Sequence, residues 1–206
     1  MLGELYAAAG APAASLRQIW QSAAEAGRMA TPDKRKHLVH TGATAAIGLF
    51  TGLAADSTAL TELQAISGEV PSKEVRALLA VSRGDSASAR RALAEPDSTS
   101  VKYMYKVYSR PYAAQAYYLL GDYETALRML KGFEPSNLYT GGFDARWGML
   151  GRVRLLRGAA YERLGRLAEA RAEYRLVMRQ WKSADPELQP FLDQARRGLA
   201  RVGVAS

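Results

Sequence analysis

The sequence predicts an all-α chain of stacked antiparallel helix pairs, and three observations carry that expectation. One spacing rule recurs along the chain: an anchor, a turn residue four positions on, a small residue at nine and a large apolar residue at thirteen. Tyr161, Gly165, Ala170 and Tyr174 obey it, as do Tyr117, Gly121, Ala126 and Leu130, and Ala80, Gly84, Ala89 and Leu93. Looser copies run Phe50, Ala54, Ala59, Leu63 and Tyr6, Gly10, Ser15, Ile19. Apolar side chains around these turns recur at intervals of three and four, the period of a helix face rather than a strand. Ala, Leu and Arg dominate the composition, and all three are good helix formers. Only Val101 to Tyr108 alternates as a strand would.

Bulk properties narrow the class further. The 206 residues are 48% hydrophobic with 8 Pro, enough to bury a sizeable core and unlike a disordered chain. Without Cys there is neither a disulfide framework nor a thiolate metal site. The net charge of +8 is unevenly spread. Residues 1–100 hold ten cations and ten acids, so the whole excess falls in residues 101–206, with 18 cations against 10 acids. Such a field favours acidic or phosphate-bearing partners.

Taken in order, the chain reads as one unit, 1–206, with repeats at about 1–28, 31–67, 71–95, 106–133 and 144–182 and a final helix at 186–202. The N-terminus has no cationic start and its apolar run is broken by Glu4 and Gly10, so no secretory signal is read and a cytoplasmic location is expected. Tyr6 falls so close to Met1 that the first repeat lacks its opening turns, which suggests an upstream domain in the same polypeptide. Thr31-Pro32-Asp33 starts the second repeat as an N-cap followed by a first-turn Pro. Leu38–Ala55 is uncharged behind Lys34, Arg35 and Lys36. Its Ala, Thr and Gly content suits a closely packed helix better than a membrane span. His37 and His40 could share a metal at that spacing but lack a third strong ligand, so no metal or cofactor is expected.

Short amphipathic helices follow at Ser57–Ile66, Ser72–Arg83 and Asp85–Ala94. Val101 to Tyr123 then holds seven of the eleven tyrosines, interleaved with Lys102, Lys106 and Arg110. Aromatics among cations suit single-stranded nucleic acid or a peptide groove. The repeat rule, however, uses Tyr117 and Tyr123 for packing between helices. Phe133 to Phe143 is a loop, and Asp144 is placed to cap a long helix ending near Leu164. The closing helix sets Leu188, Phe191, Leu192, Ala195, Leu199 and Val202 against Asp193, Arg196, Arg197 and Arg201, the two-faced pattern of a solenoid cap.

Gly158, Tyr161, Gly165, Ala170 and Tyr174 reproduce, in order, the signature of a tetratricopeptide repeat, and the chain resembles that family. The resemblance implies a right-handed superhelix in which the first helix of each pair lines a concave groove for a protein or peptide ligand. The anchors here are 44, 30, 37 and 44 residues apart, against about 34 in an ordinary unit. Carried onto this sequence, the groove residues are Tyr108, Tyr112, Gln115, Tyr118, Arg152, Glu162 and Arg163, a set suited to an acidic ligand. Arg171, Arg175, Arg179 and Lys182 form a second stripe expected to face outward, and Glu169 and Glu173 read as an exposed, charge-laced surface with Arg171 and Arg175.

Residues 150–203 are also similar to the C-terminal end of large bacterial regulators, in which a Ser/Thr kinase or DNA-binding domain precedes a tetratricopeptide array. The segments carrying this are Ala160 to Gly165, Trp181 to Pro190 and Ala195 to Arg201. No phosphate loop, nucleophile elbow or metal-binding helix motif is present, so catalysis is not expected. The expected function is a non-catalytic interaction module, with nucleic-acid binding through the basic half as the alternative.

Overall fold

The computed structural model describes residues 73–96, 103–134, 146–183 and 186–203, together with Gln18, Ser22, Glu25 and Met29, which are helical. These residues fall in two compact units, Met1–Val101 and Lys102–Ser206. Among the described residues every regular element is helical. The first unit contributes α1 (Lys73–Ser82) and α2 (Ser86–Ala94). The second contributes α3 (Tyr103–Leu119), α4 (Tyr123–Leu130), α5 (Arg146–Arg163), α6 (Leu167–Gln180) and α7 (Gln189–Gly203), the last entered through a 3-10 turn at Pro186–Leu188.

Three hairpins, α1/α2, α3/α4 and α5/α6, are built on the same local chemistry. At each turn a glycine takes a left-handed φ: Gly84 at 75°, Gly121 at 79° and Gly165 at 72°. A side chain there would meet its own backbone, so glycine is the residue that ends the helix cheaply. The following N–H then reaches back to the anchor carbonyl, Asp85 to Ala80, Asp122 to Tyr117 and Arg166 to Tyr161, each at 2.9 Å. The glycine N–H bonds the next carbonyl along, that of Val81, Tyr118 or Glu162. These paired bonds satisfy carbonyls that the helix end would otherwise strand. Asp85 and Asp122 cap the returning helices by accepting from the Ser88 and Thr125 amides, at 2.9 and 3.1 Å. Arg166 has no such cap and instead reaches Glu169 at 2.8 Å.

Beyond each turn the small residue is fully buried: Ala89, Ala126 and Ala170 are all 0% exposed. The large residue four positions later is buried as well, Leu93, Leu130 and Tyr174. An alanine lets the two helix axes approach, and the larger group then fills the wedge beside it.

In the Lys102–Ser206 unit, α3 and α4 both pack against α5, and α5 and α6 both pack against α7. One core joins Ala114, Ala126, Leu130 and Phe133 of the earlier hairpin to Leu150 and Val153 of α5. A second joins Leu155 of α5 and Ala170, Tyr174, Val177 and Trp181 of the α6 side to Leu192, Ala195 and Val202 of α7. Each fully buried Leu or Val contributes about 1.5–3 kcal/mol relative to exposure.

One open pattern is resolved and one expectation is corrected. The residues 103–108 that alternate like a strand belong to α3, which carries Pro111 in its interior. Continuing a helix already nucleated downstream adds one hydrogen bond per residue, whereas a lone strand has no partner. Glu173 is not part of an exposed charged surface: its side chain is only 14% exposed and turns toward Arg157. The repeats expected at 1–28 and 31–67, with the helix at Ser57–Ile66, the segment Leu38–Ala55 and the pair His37 and His40, and the cap Asp144 lie outside the described residues, apart from Gln18, Ser22 and Glu25.

Candidate partner-binding surface

α5 packs against α6 of its own hairpin, against α3 and α4 of the preceding one and against α7. Toward α7, Arg152 lies over the Phe191 ring at 5.3 Å, and Phe191 in turn meets Trp181 at 5.8 Å. Burial pulls the Arg152 pKa down, and the nearby Tyr112 hydroxyl partly offsets it. At the other end of α5, Glu162 accepts hydrogen bonds from Arg201 Nε at 2.5 Å, Arg201 Nη2 at 3.0 Å and the Tyr174 hydroxyl at 2.8 Å. The Arg201 guanidinium, more than the phenol, holds the Glu162 carboxyl below its usual range. Burial and the Glu162 bond push the Tyr174 phenol up. Arg152 and Glu162 thus fasten the last helix at both ends.

Toward α3 a different group forms. The Arg163 guanidinium sits beside the Tyr118 hydroxyl, which together with Tyr123 raises its pKa. Tyr118 and Tyr123 lie across the Gly121 turn with ring centroids 5.4 Å apart and planes tilted by 58°. Leu119, adjacent in α3, is 50% exposed. Gln115, one turn earlier on the same face as Tyr118 and Leu119, is half-buried. Among the described residues this is where an aromatic pair meets a cation without a carboxylate within ion-pair distance, next in sequence to an exposed apolar side chain.

Of the residues expected in the groove, Tyr118 and Arg163 are brought together, as are Tyr112 and Arg152, and Gln115 is close to the first pair in register. Tyr112 is buried in the helix packing. Tyr108 belongs to α3, but its side chain lies outside the described residues. The sequence reading missed Tyr123 and Leu119. Their signal was present, since residues five apart across a tight glycine turn are returned to each other, but Tyr123 had been assigned to packing.

A buried charge network was also not expected. Arg157, 6% exposed, donates to the carbonyls of Leu130 at 2.5 Å and Phe133 at 3.3 Å, to Glu134 at 2.5 Å, and is 3.5 Å from Glu173. It caps the C-terminal end of α4 from the next hairpin, where unsatisfied carbonyls favour a cation. Arg154, also buried, donates to Gln180 at 3.1 Å. Burial pushes the Glu173 carboxyl up despite these two neighbours. Because the Arg157 donors are spent on backbone and on the neighbouring carboxylates, while Arg154 Nε and Glu173 Oε2 are buried without a hydrogen-bond partner among the described residues, this network reads as a fastening between hairpins.

No group of His, Cys, Asp and Glu able to hold a metal occurs among the described residues, and none of their helices is long and apolar enough to cross a membrane. No protein-family model matches the chain, and no curated protein or solved structure is detectably similar to it.

Proposed function

We propose that this chain is a non-catalytic helical-repeat scaffold of the tetratricopeptide type, a right-handed superhelix that captures a protein or peptide segment carrying acidic groups. The observation that carries this reading is the convergence of Tyr118, Tyr123, Leu119 and Arg163 at the edge of two successive hairpins. Aromatic and Arg side chains at a partly exposed site are the usual anchors of protein recognition. A guanidinium flanked by two phenols, whose nearby carboxylate Glu162 is held by Arg201, can gain a charge-assisted bond from a ligand carboxylate. The three hairpins with one turn geometry support the repeat architecture, since neighbouring units of that kind stack through nearest-neighbour contacts. A role as the docking arm of a bacterial signalling protein rests on the likeness of residues 150–203 alone.

The test is selection of ligands from a random-peptide display library. Enriched peptides are expected to pair Asp or Glu with an apolar or aromatic residue. They should bind Tyr118→Ala/Arg163→Ala at least about tenfold more weakly, roughly 1.4 kcal/mol, with the helical circular dichroism retained. Enriched peptides that bind this variant as tightly as the parent would remove the assignment. Affinity that falls steeply with salt and is matched by oligonucleotides would favour the nucleic-acid alternative.

A further inference from the structure

The packing sorts the charges of α6 in a way that the sequence does not. Glu173 turns inward to Arg157, Glu169 is taken by Arg166, and Arg171 donates to the Val202 carbonyl at 2.6 Å. Glu169 stays partly exposed but lies off the line of Ala168, Ala172, Arg175 and Arg179, which carries no acid. Those four side chains are exposed, as is Lys182. The four positions on the helix are separated by four, three and four residues, the spacing of a seam along which a second helix can lie, and Lys182 follows in the turn beyond it. The cations occupy one half of the seam. The two alanines occupy the other half, where a small side chain lets another backbone come close.

We propose that this ridge docks a partner helix that carries carboxylates at the same four-three spacing. The fit is in charge and in period: guanidinium and ammonium groups one turn apart meet acids one turn apart, and the alanine half admits the body of the partner. A stacking platform for single-stranded nucleic acid is disfavoured here, because the aromatic side chains of this segment, Tyr174 and Trp181, are buried and turned away from the ridge. The surface is separate from the Tyr118–Arg163 edge and does not depend on the function proposed for it.

The test uses the full chain and a synthetic alanine-based helical peptide with Glu at four-three spacing, alongside its Lys counterpart, an oligothymidine and a short DNA duplex. The Glu peptide is expected to bind and the Lys peptide not. Arg175→Gln/Arg179→Gln/Lys182→Gln should weaken binding by about tenfold or more at an unchanged melting midpoint, and Tyr118→Ala should leave it intact. Ala172→Trp is a second variant, which should block the close approach of a helix while keeping every charge. The proposal is overturned if the Glu peptide does not bind, or if either ridge variant binds it like the parent. It is also overturned if the oligonucleotides bind more tightly through the same three cations.

Discussion

Replacing Arg157 by leucine is expected to destabilise the Lys102–Ser206 unit by about 3–5 kcal/mol, the usual cost of removing one member of a buried ion pair. The guanidinium serves two helix-end carbonyls, Leu130 and Phe133, and two carboxylates, Glu134 and Glu173. Glu134 is 46% exposed and can turn to water, so it adds little. Glu173 cannot, since its Oε2 is already buried without a hydrogen-bond partner among the described residues. The loss therefore falls mainly on one stranded acid and two stranded carbonyls. Urea unfolding at neutral pH measures it, and the double variant Arg157→Leu/Glu173→Leu should recover part of the deficit. A single variant within about 0.5 kcal/mol of the parent, the range of ordinary surface substitutions, would show that the network does not fasten the hairpins.

The second large effect concerns glycines inside helices, where alanine ordinarily stabilises by about 0.5–1 kcal/mol. Here the sign should reverse. The Tyr174 ring lies between Gly158 of α5 and Gly198 of α7. An added Cβ at Gly158 would sit 2.6 Å from Cε1, and one at Gly198 would sit 2.4 Å from Cε2 and Cζ. The ring is 2% exposed, its hydroxyl is bonded to Glu162, and a helix approaches each side of it, so it cannot swing aside. Gly198→Ala and Gly158→Ala should each cost about 1–3 kcal/mol through overpacking. Tyr174→Leu, which shortens the obstructing group, should lessen the penalty of either. Thermal melts of the parent, the three single variants and the two double variants decide it, and a raised midpoint for Gly198→Ala would contradict the packing of α7 on α6.

What was legible beforehand follows from the range over which each feature is determined. The turns at Gly84, Gly121 and Gly165 are local: a glycine, a capping residue and the helical period are all within a few positions. The burial of Ala89, Ala126 and Ala170 followed from the same register. Gly158 was legible as a member of the repeat signature, and the ring pressed against it proved to be Tyr174. The charged residues were a different matter. Arg157 bonds carbonyls 27 and 24 residues away, a relation that no helical period contains. A period assigns Glu173 to solvent because charged side chains usually belong there, whereas the arriving hairpin covers it. Glu162 and Arg152 lie on the side of α5 that α7 covers, and the position of that last helix decides their roles. Tyr118 and Arg163 came together because α3 and α5 pack side by side, which the repeat spacing did imply.

The central claim is that one hairpin design, with a small buried residue five positions after its turn glycine, is used three times. The chain has no cysteine, so thiol labelling reads this without background. Single substitutions Ala89→Cys, Ala126→Cys and Ala170→Cys should react with a thiol reagent only as fast as the fold opens. Ala87→Cys, Glu124→Cys and Ala168→Cys, exposed positions two residues earlier on the same helices, should react at the rate of a free thiol. Protection at all three buried positions and rapid labelling at all three exposed ones is the predicted result. Labelling of Cys at 126 or 170 as fast as at 124 or 168, in a folded protein, would contradict it.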